Sequence, residues 1–318
     1  MGIEVIGFGA MNMDHIYGVA RILSDGEDAV ADYTLSPGGS AANTLYGLAK
    51  LGVSAGFLGA VGDDEAGRML LKDFRNVGVD TGQIRVKQEK TGSTLCLTDK
   101  RGRRAIYVLP GANSLLESDD IDLDYIKQAH VLHLSSLAGE RLLKIQKQLM
   151  ERIPPSIKVS FAPGSIYAAR GLDDLSPIIK RTHVLFLNHK EIAELTGEEF
   201  QRGAQSCLRH GCDIVAVTIG GRIKGKANTA ACYLATGNRE YMIETKVTKQ
   251  TLGDTVGAGD AFAAGFLFGL LRQRNLEECG YLGELVAQFS ITRCGARAGL
   301  PTLRQLRERY AQLYGKPC

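Results

Sequence analysis

The chain has 318 residues, 44% of them hydrophobic and 23% charged, with a net charge of +3. These are the proportions of a folded globular protein with a sizeable core, and they leave no dense basic surface for nucleic acid. No apolar run reaches the ~20 residues that span a bilayer, and the opening "MGIEVIGFGAMNMD" has neither a basic leader nor a myristoylation pattern. A cytoplasmic location without membrane contact is expected.

The elements follow in chain order. Residues 3–8 form an apolar opening strand. Residues 40–51 read as a helix, with Leu45, Leu48 and Ala49 on one face and Gly52 as its stop. A strand over 53–61 and a helix over 66–76 come next. "STLCLTD" and "RRAIYVL" flank a "KRG" turn within residues 92–109, which is a hairpin signal. Strands over 131–134, 159–162, 184–187 and 214–219 are short, apolar and largely β-branched, with helical patterns between them. An amphipathic helix over 303–313 closes the chain. Alternation of this kind predicts an α/β domain built on a mostly parallel sheet covered on both faces. Residues 1–318 read as a single domain. The strand material near 12–36 and 92–110 is left over, and it suits a small lid over one edge.

The seven cysteines are Cys96, Cys207, Cys212, Cys232, Cys279, Cys294 and Cys318. Their number is odd and none forms CxxC, so reduced and mostly buried thiols are expected, without a disulfide framework or zinc site.

One stretch carries more chemistry than the rest: "TLGDTVGAGDAFAAGFLFGLL", residues 251–271. A helix N-terminus has unpaired N–H groups and a partial positive charge. Gly257, Ala258 and Gly259 let a ligand approach those amides, which makes an anion site of the kind phosphates use. Asp260 sits at the helix start, where a carboxylate can take a proton from an acceptor hydroxyl. The plainer alternative is a Gly-rich turn with an Asp cap. "PGGSAANTLYGLAKLG", residues 37–52, has a similar design. Gly38 and Gly39 permit close approach, and the Asn43 amide suits a hydroxyl; a tight turn before a packed helix is the alternative. Asp14 in "NMD" follows the first strand, where ligands of open α/β sheets bind, although an exposed loop carboxylate is the commoner fate. "NHKE", with Asn188 and Glu191, follows a buried strand and fits either magnesium-bound water or a helix cap.

Two patterns fail. "GGRIKGKA" lacks the Ser or Thr of a phosphate loop, having Ala227 there, and a strand follows it. "GFGAMN" lacks the third glycine of a dinucleotide fingerprint, which disfavours a nicotinamide-dependent dehydrogenase. His130 and His133 flank an apolar strand and read as structural.

Taken together and in this order, "GGSAANTLYGLAKLG" and "DTVGAGDAFAAGF" resemble the signatures of the ribokinase-like (PfkB) family of sugar and nucleoside kinases, and the likeness runs from "NMD" to "ITRCGARAG". The resemblance implies a three-layer α/β/α fold with a β-strand lid. It implies transfer of the ATP γ-phosphate to a substrate hydroxyl, with Asp260 as general base and Gly257, Ala258 and Gly259 as anion hole. Asp14, Gly38, Gly39 and Asn43 would hold acceptor hydroxyls, with Asn12 close by. Asn188 and Glu191 would organise Mg2+ and phosphate water, and Thr218, Gly220 and Gly225 would meet the nucleotide phosphates. Asp254, Val256, Ser290, Arg293, Gly295 and Gly299 match a monovalent cation (K+) site that supports the anion hole. In several members the lid is also a dimer contact.

Two departures bear on substrate. Ser40 stands where ribokinases proper carry Lys, and "HLSSLAG" has Ser135 and Ser136 where they carry Glu. Both weaken the case for free ribose. A sugar is the expected acceptor, with a nucleoside as the alternative. A nucleoside base would need an apolar clamp, and Met11, Met13 and Tyr107 lie in suitable segments. A sensor that binds without turnover is a third reading, which the retained base and anion hole disfavour.

Overall fold

Strand β1 (Val5–Phe8) is buried along its whole length, because its apolar side chains face both ways into packed layers. The computed structural model describes residues 2–24, 27, 30–99, 104–222, 229–244, 255–315 and 318. The remaining strands are β2 (Asn12–Val19), β3 (Asp32–Gly38), β4 (Ala55–Gly62), β5 (Ile84–Lys87), β6 (Gly92–Asp99) and β7 (Arg104–Leu109), followed by β8 (Val131–Ser135), β9 (Lys158–Ala162), β10 (Thr182–Asn188), β11 (Ile214–Arg222), β12 (Thr229–Thr236) and β13 (Glu240–Glu244). The helices are α1 (Ser40–Lys50), α2 (Glu65–Asn76), α3 (Leu123–Ile126), α4 (Glu140–Arg152), α5 (Gly164–Ala168), α6 (Gly171–Ile179), α7 (His189–Thr196), α8 (Phe200–Arg209), α9 (Ala258–Leu271), α10 (Leu276–Ser290) and α11 (Leu303–Tyr314).

Among the described residues, nine strands form the main sheet in the order β13-β12-β11-β10-β9-β8-β1-β4-β5. It is parallel except for β12 and β13, an antiparallel extension at one edge. One face packs a core from α1, α2, α9, α10 and α11, with Leu45, Phe74, Phe262, Phe266, Leu285 and Leu306 fully or nearly fully buried. The other face packs α4 to α8, through residues such as Leu142, Leu149, Ile178, Ile192 and Cys207. The three-layer α/β architecture anticipated from alternating strands and helices is present.

The leftover strands form a second, four-stranded sheet in the order β3-β2-β6-β7. Its central pair, β2 and β6, is parallel, and the flanking pairs are antiparallel. This is the expected lid. The β6–β7 hairpin is there, while its "KRG" turn lies outside the described residues.

Helix α9 is buried nearly all round, from Ala261 to Gly269. Small residues make that possible. A Cβ at Gly265 would sit 2.4 Å from the Leu282 carbonyl oxygen, so α9 and α10 approach backbone to backbone. A Cβ at Gly47 would meet Ala264 at 2.9 Å, so α1 is held equally close on another side. A long apolar helix therefore anchors its own N-terminus rigidly. Cys96, Cys207, Cys212, Cys232 and Cys279 are buried free thiols, as expected, and Cys294 is exposed. Among the described residues no helix is long and apolar enough to cross a membrane.

Candidate active site

Helices α1 and α9 run side by side and bring their N-termini to one cleft at the carboxyl ends of the main-sheet strands, the usual ligand position in open α/β sheets. Both starts are made by glycines that only a missing side chain permits. Gly39, the N-cap of α1, has φ 96°, and a Cβ there would lie 2.1 Å from the Ala10 carbonyl oxygen. Gly257, the N-cap of α9, has φ 75°, and its Cβ would lie 2.4 Å from that of Ala296. A Cβ at Gly259 meets open space among the described residues, so room is left beside that first turn.

Asp260 lies in the first turn of α9. Ser40 Oγ donates to its Oδ1 at 2.7 Å, and Asn43 Nδ2 donates to its Oδ2 at 2.9 Å. Thr44 Oγ1 donates to its carbonyl oxygen at 3.3 Å. The residue as a whole is half-buried, but protein packs densely about its carboxyl group. Burial pushes its pKa up to about 7, against the lowering effect of the Ser40 and Asn43 bonds, and Asp14 and Glu191 add to the rise. A carboxylate poised near neutrality suits a general base. The sign is definite: a base works only when ionised. Turnover is therefore expected to climb as pH rises from about 6 to about 8 and then level off, a window set by that shifted value. A flat pH–kcat/KM profile across that range would remove Asp260 from the role.

Asp14 lies on β2 and accepts from Thr94 Oγ1 at 2.7 Å. Gly38 faces it so closely that a Cβ would lie 2.1 Å from its Oδ2. Asn12 Oδ1 accepts from Asn113 Nδ2 at 2.9 Å, and Asn113 also spans Met11 N and O. The expected acceptor residues Asn12, Asp14, Gly38, Gly39 and Asn43 are thus brought together beside Asp260. Ser135 is 1% exposed, and its Oγ accepts from the Ala41 amide at 3.2 Å. Met11 and Met13 are buried in the core, and Tyr107, 62% exposed, alternates with Val108, the neighbour of Thr94, and so faces away from Asp14.

Asn188 and Glu191 take the plainer of their two readings and still line the cleft. Asn188 Oδ1 caps α7 by accepting from the Lys190 and Glu191 amides, each at 2.9 Å, and Glu191 Oε2 accepts from the Asn188 amide at 2.9 Å. Burial raises the Glu191 pKa. A recess of about 90 Å³ is lined by Ser40, Asn188, Glu191, Thr218, Gly259 and Asp260. It shares walls with a groove of about 470 Å³ lined by Arg104, Lys190, Gly220, Thr255 and Ala258. A larger cavity of about 710 Å³ lies behind the lid, along Met13, His15 and Ser93, on the opposite face of that sheet from Asp14.

The residues matched to a cation site are divided. Asp254, like Gly225, lies outside the described residues. Ser290 is buried, and a Cβ at Gly299 would sit 2.5 Å from the Phe289 and Ser290 carbonyl oxygens. Gly295 packs on Ser36, and the neighbouring Ala296 packs on Gly257. The loop of Arg293, Gly295 and Gly299 thus supports the turn that holds Val256. Among the described residues no cluster of His, Cys, Asp or Glu could cage a metal ion. One buried carboxylate and one amide suit a hydrated magnesium ion rather than a direct cage.

Sequence reasoning missed Thr94, Asn113, Arg104 and Arg297. Arg104, on β7, donates to Thr255 Oγ1 beside the α9 turn. Arg297 bonds Asn43 and Gly38 from below the cleft.

Two helix N-termini at one cleft, a carboxylate of raised pKa between them and a sheet-borne lid fit a phosphotransferase acting on an alcohol group. The chain belongs to the pfkB family of carbohydrate kinases, whose sequence pattern it matches over residues 3–303. It is 40% identical over 258 residues to an uncharacterized sugar kinase of Archaeoglobus fulgidus, covering 80% of this chain and 98% of the relative. It is 31% identical over 299 residues to an ATP-dependent ribose-1-phosphate kinase of Halopiger xanaduensis, covering 93% and 94%. The ribokinase structure of Thermotoga maritima superimposes with a TM-score of 0.82 at 25% identity, covering 98% of this chain and 99% of that one.

Proposed function

We propose that residues 1–318 act as one kinase unit that transfers the γ-phosphate of ATP to a sugar hydroxyl. The observation that carries this reading is Asp260, enclosed between Ser40 and Asn43 at the start of α9 with its pKa raised to about 7. Asp14, with Asn12 nearby, the Gly38–Gly39 backbone and Asn43 hold the acceptor. The Asn43 amide nitrogen carries two hydrogens, one of them committed to Asp260, which leaves the other for the acceptor. The acceptor hydroxyl gives its proton to Asp260 as its oxygen attacks the γ-phosphorus, and the bond to ADP breaks. Charge on the transferring group is met by the backbone of Gly257, Ala258 and Gly259. Among the described residues the Ala258 amide donates to Thr255 O at a long 3.3 Å, a bond that an anion displaces.

Asn188 and Glu191 hold the water shell of Mg2+, which neutralises phosphate charge when bound. Thr218, Gly220 and Gly225 meet the nucleotide phosphates. Val256, Ser290, Arg293, Gly295 and Gly299, with Asp254, supply K+ ligands that stiffen the anion turn. Free thiols and the absence, among the described residues, of a membrane-crossing helix fit a cytoplasmic enzyme. The exposed Tyr33, Leu35, Tyr107 and Leu109 on the lid fit a homodimer contact.

Tyr107 facing away from Asp14 favours a sugar over a nucleoside. A phosphorylated sugar is the second reading, favoured by Arg104 reaching the cleft from the lid and by the ribose-1-phosphate kinase likeness. The test is ADP release from ATP, Mg2+ and K+ across sugars, sugar phosphates and nucleosides. A strong response to one sugar or sugar phosphate is expected. Turnover with nucleosides alone would overturn the sugar reading, and binding without ADP would make the chain a sensor.

A further inference from the structure

Arg297, in the loop between α10 and α11, is 5% exposed. Its guanidinium joins three elements. Nε donates to Asn43 Oδ1 at 2.9 Å, Nη1 to Asp73 Oδ2 at 2.7 Å, and Nη2 to the Gly38 carbonyl oxygen at 3.0 Å. The rings of Tyr46 and Phe74 lie on it, with centroids 5.2 and 5.1 Å from Cζ. A charge this deep persists only when paired and fully bonded, and a planar fork between two rings is a fixed object.

That fixed object decides which way an amide points. A side-chain amide has an oxygen that accepts and a nitrogen that donates. Asn43 stands between a pure donor, Arg297, and an acceptor, Asp260. Flipped, it would set N–H against N–H on one side and oxygen against carboxylate on the other. We propose that Arg297 is a positioning residue, which locks the donor face of Asn43 onto the general base and, through Gly38, ties the acceptor cradle to the same group. The inference rests on the kinase reading only for naming Asp260 the base. The groups facing Asp260 are Ser40 and Asn43 from α1, Asp14 from β2 and Glu191 from α7.

The test is a carbon-13 titration of the Asp260 carboxyl in the full, ligand-free chain. In the wild type the midpoint is expected near 7. Arg297→Lys keeps the charge but cannot hold the fork, so the amide is released. The midpoint is expected to rise by about one unit, the worth of one lost bond to a charged group. Asn43→Ala should rise equally, and the double variant no further, because both act through one bond. A merely structural arginine would leave the midpoint where it is. An unchanged midpoint in a folded Arg297→Lys overturns the proposal. If that variant does not fold, Asp73→Asn loosens the fork from its outer end. A partial rise then supports the proposal, and none overturns it. The titration needs no acceptor. Absence of ADP release with every compound would therefore count against the kinase reading alone, and an immobile midpoint against Arg297 alone.

Discussion

Asp260→Asn is expected to lower kcat by about 10²–10⁴-fold, the usual worth of a general base and roughly 3–5 kcal/mol of barrier. The fold should not suffer. Ser40, a hydroxyl, can turn from donor to acceptor toward the new amide, and Asn43 can still donate to its oxygen. Stability has a definite sign here. The folded pKa of Asp260 is raised to about 7, well above that of an unfolded aspartate. The folded state therefore holds the proton more tightly, and ionisation weakens it as pH climbs from about 4 to about 7. Asparagine never ionises, so at pH 8 the variant should melt no lower than the wild type. Thermal denaturation at pH 5 and pH 8 beside steady-state kinetics checks both halves. A variant that melts far lower at pH 8, or one that turns over at the wild-type rate, would put Asp260 among structural caps.

Gly39→Ala should produce the second large effect, mainly on stability. The new Cβ meets the Ala10 carbonyl oxygen at 2.1 Å, and that atom belongs to the backbone. The φ of 96° adds strain of about 1–2 kcal/mol for any L side chain. A total loss of roughly 3 kcal/mol is expected by chemical denaturation. Gly38→Ala provides the contrast. The atoms nearest its Cβ are those of the Asp14 carboxylate, with Oδ2 at 2.1 Å, and a side chain can shift where backbone cannot. That variant should keep most of its stability and raise the acceptor KM by about tenfold or more, as a lost charged contact does. If Gly38→Ala leaves the acceptor KM untouched, Asp14 is not holding the acceptor.

The layered fold was legible because its signals are local. The short, mainly apolar runs within β8, β9 and β10 each declare a strand buried on both faces, and Leu45 and Leu48 declare the inner face of α1. Edges were less legible: β10 extends to Thr182 and Asn188, where polar residues still pair in the ladder. Asp260 and Asn43 were legible because glycines beside them mark close approach, and Asp14 because it follows the first strand. Asn113 and Arg297 were not. Their partners lie 101 and 254 positions away in sequence, at Asn12 and Asn43. A lone polar residue far along the chain gives no sign that it closes a bond network at the cleft. The facing of Met13 and Tyr107 was hidden for a related reason, since strand alternation decides which face a side chain takes, and only the register reveals it.

Asp14 rides on the second sheet, and Asp260 is fixed in the main body. On the kinase reading proposed above, an acceptor bonded to both carboxylates would tie the second sheet to the main body, and a molecule too short to reach both would not.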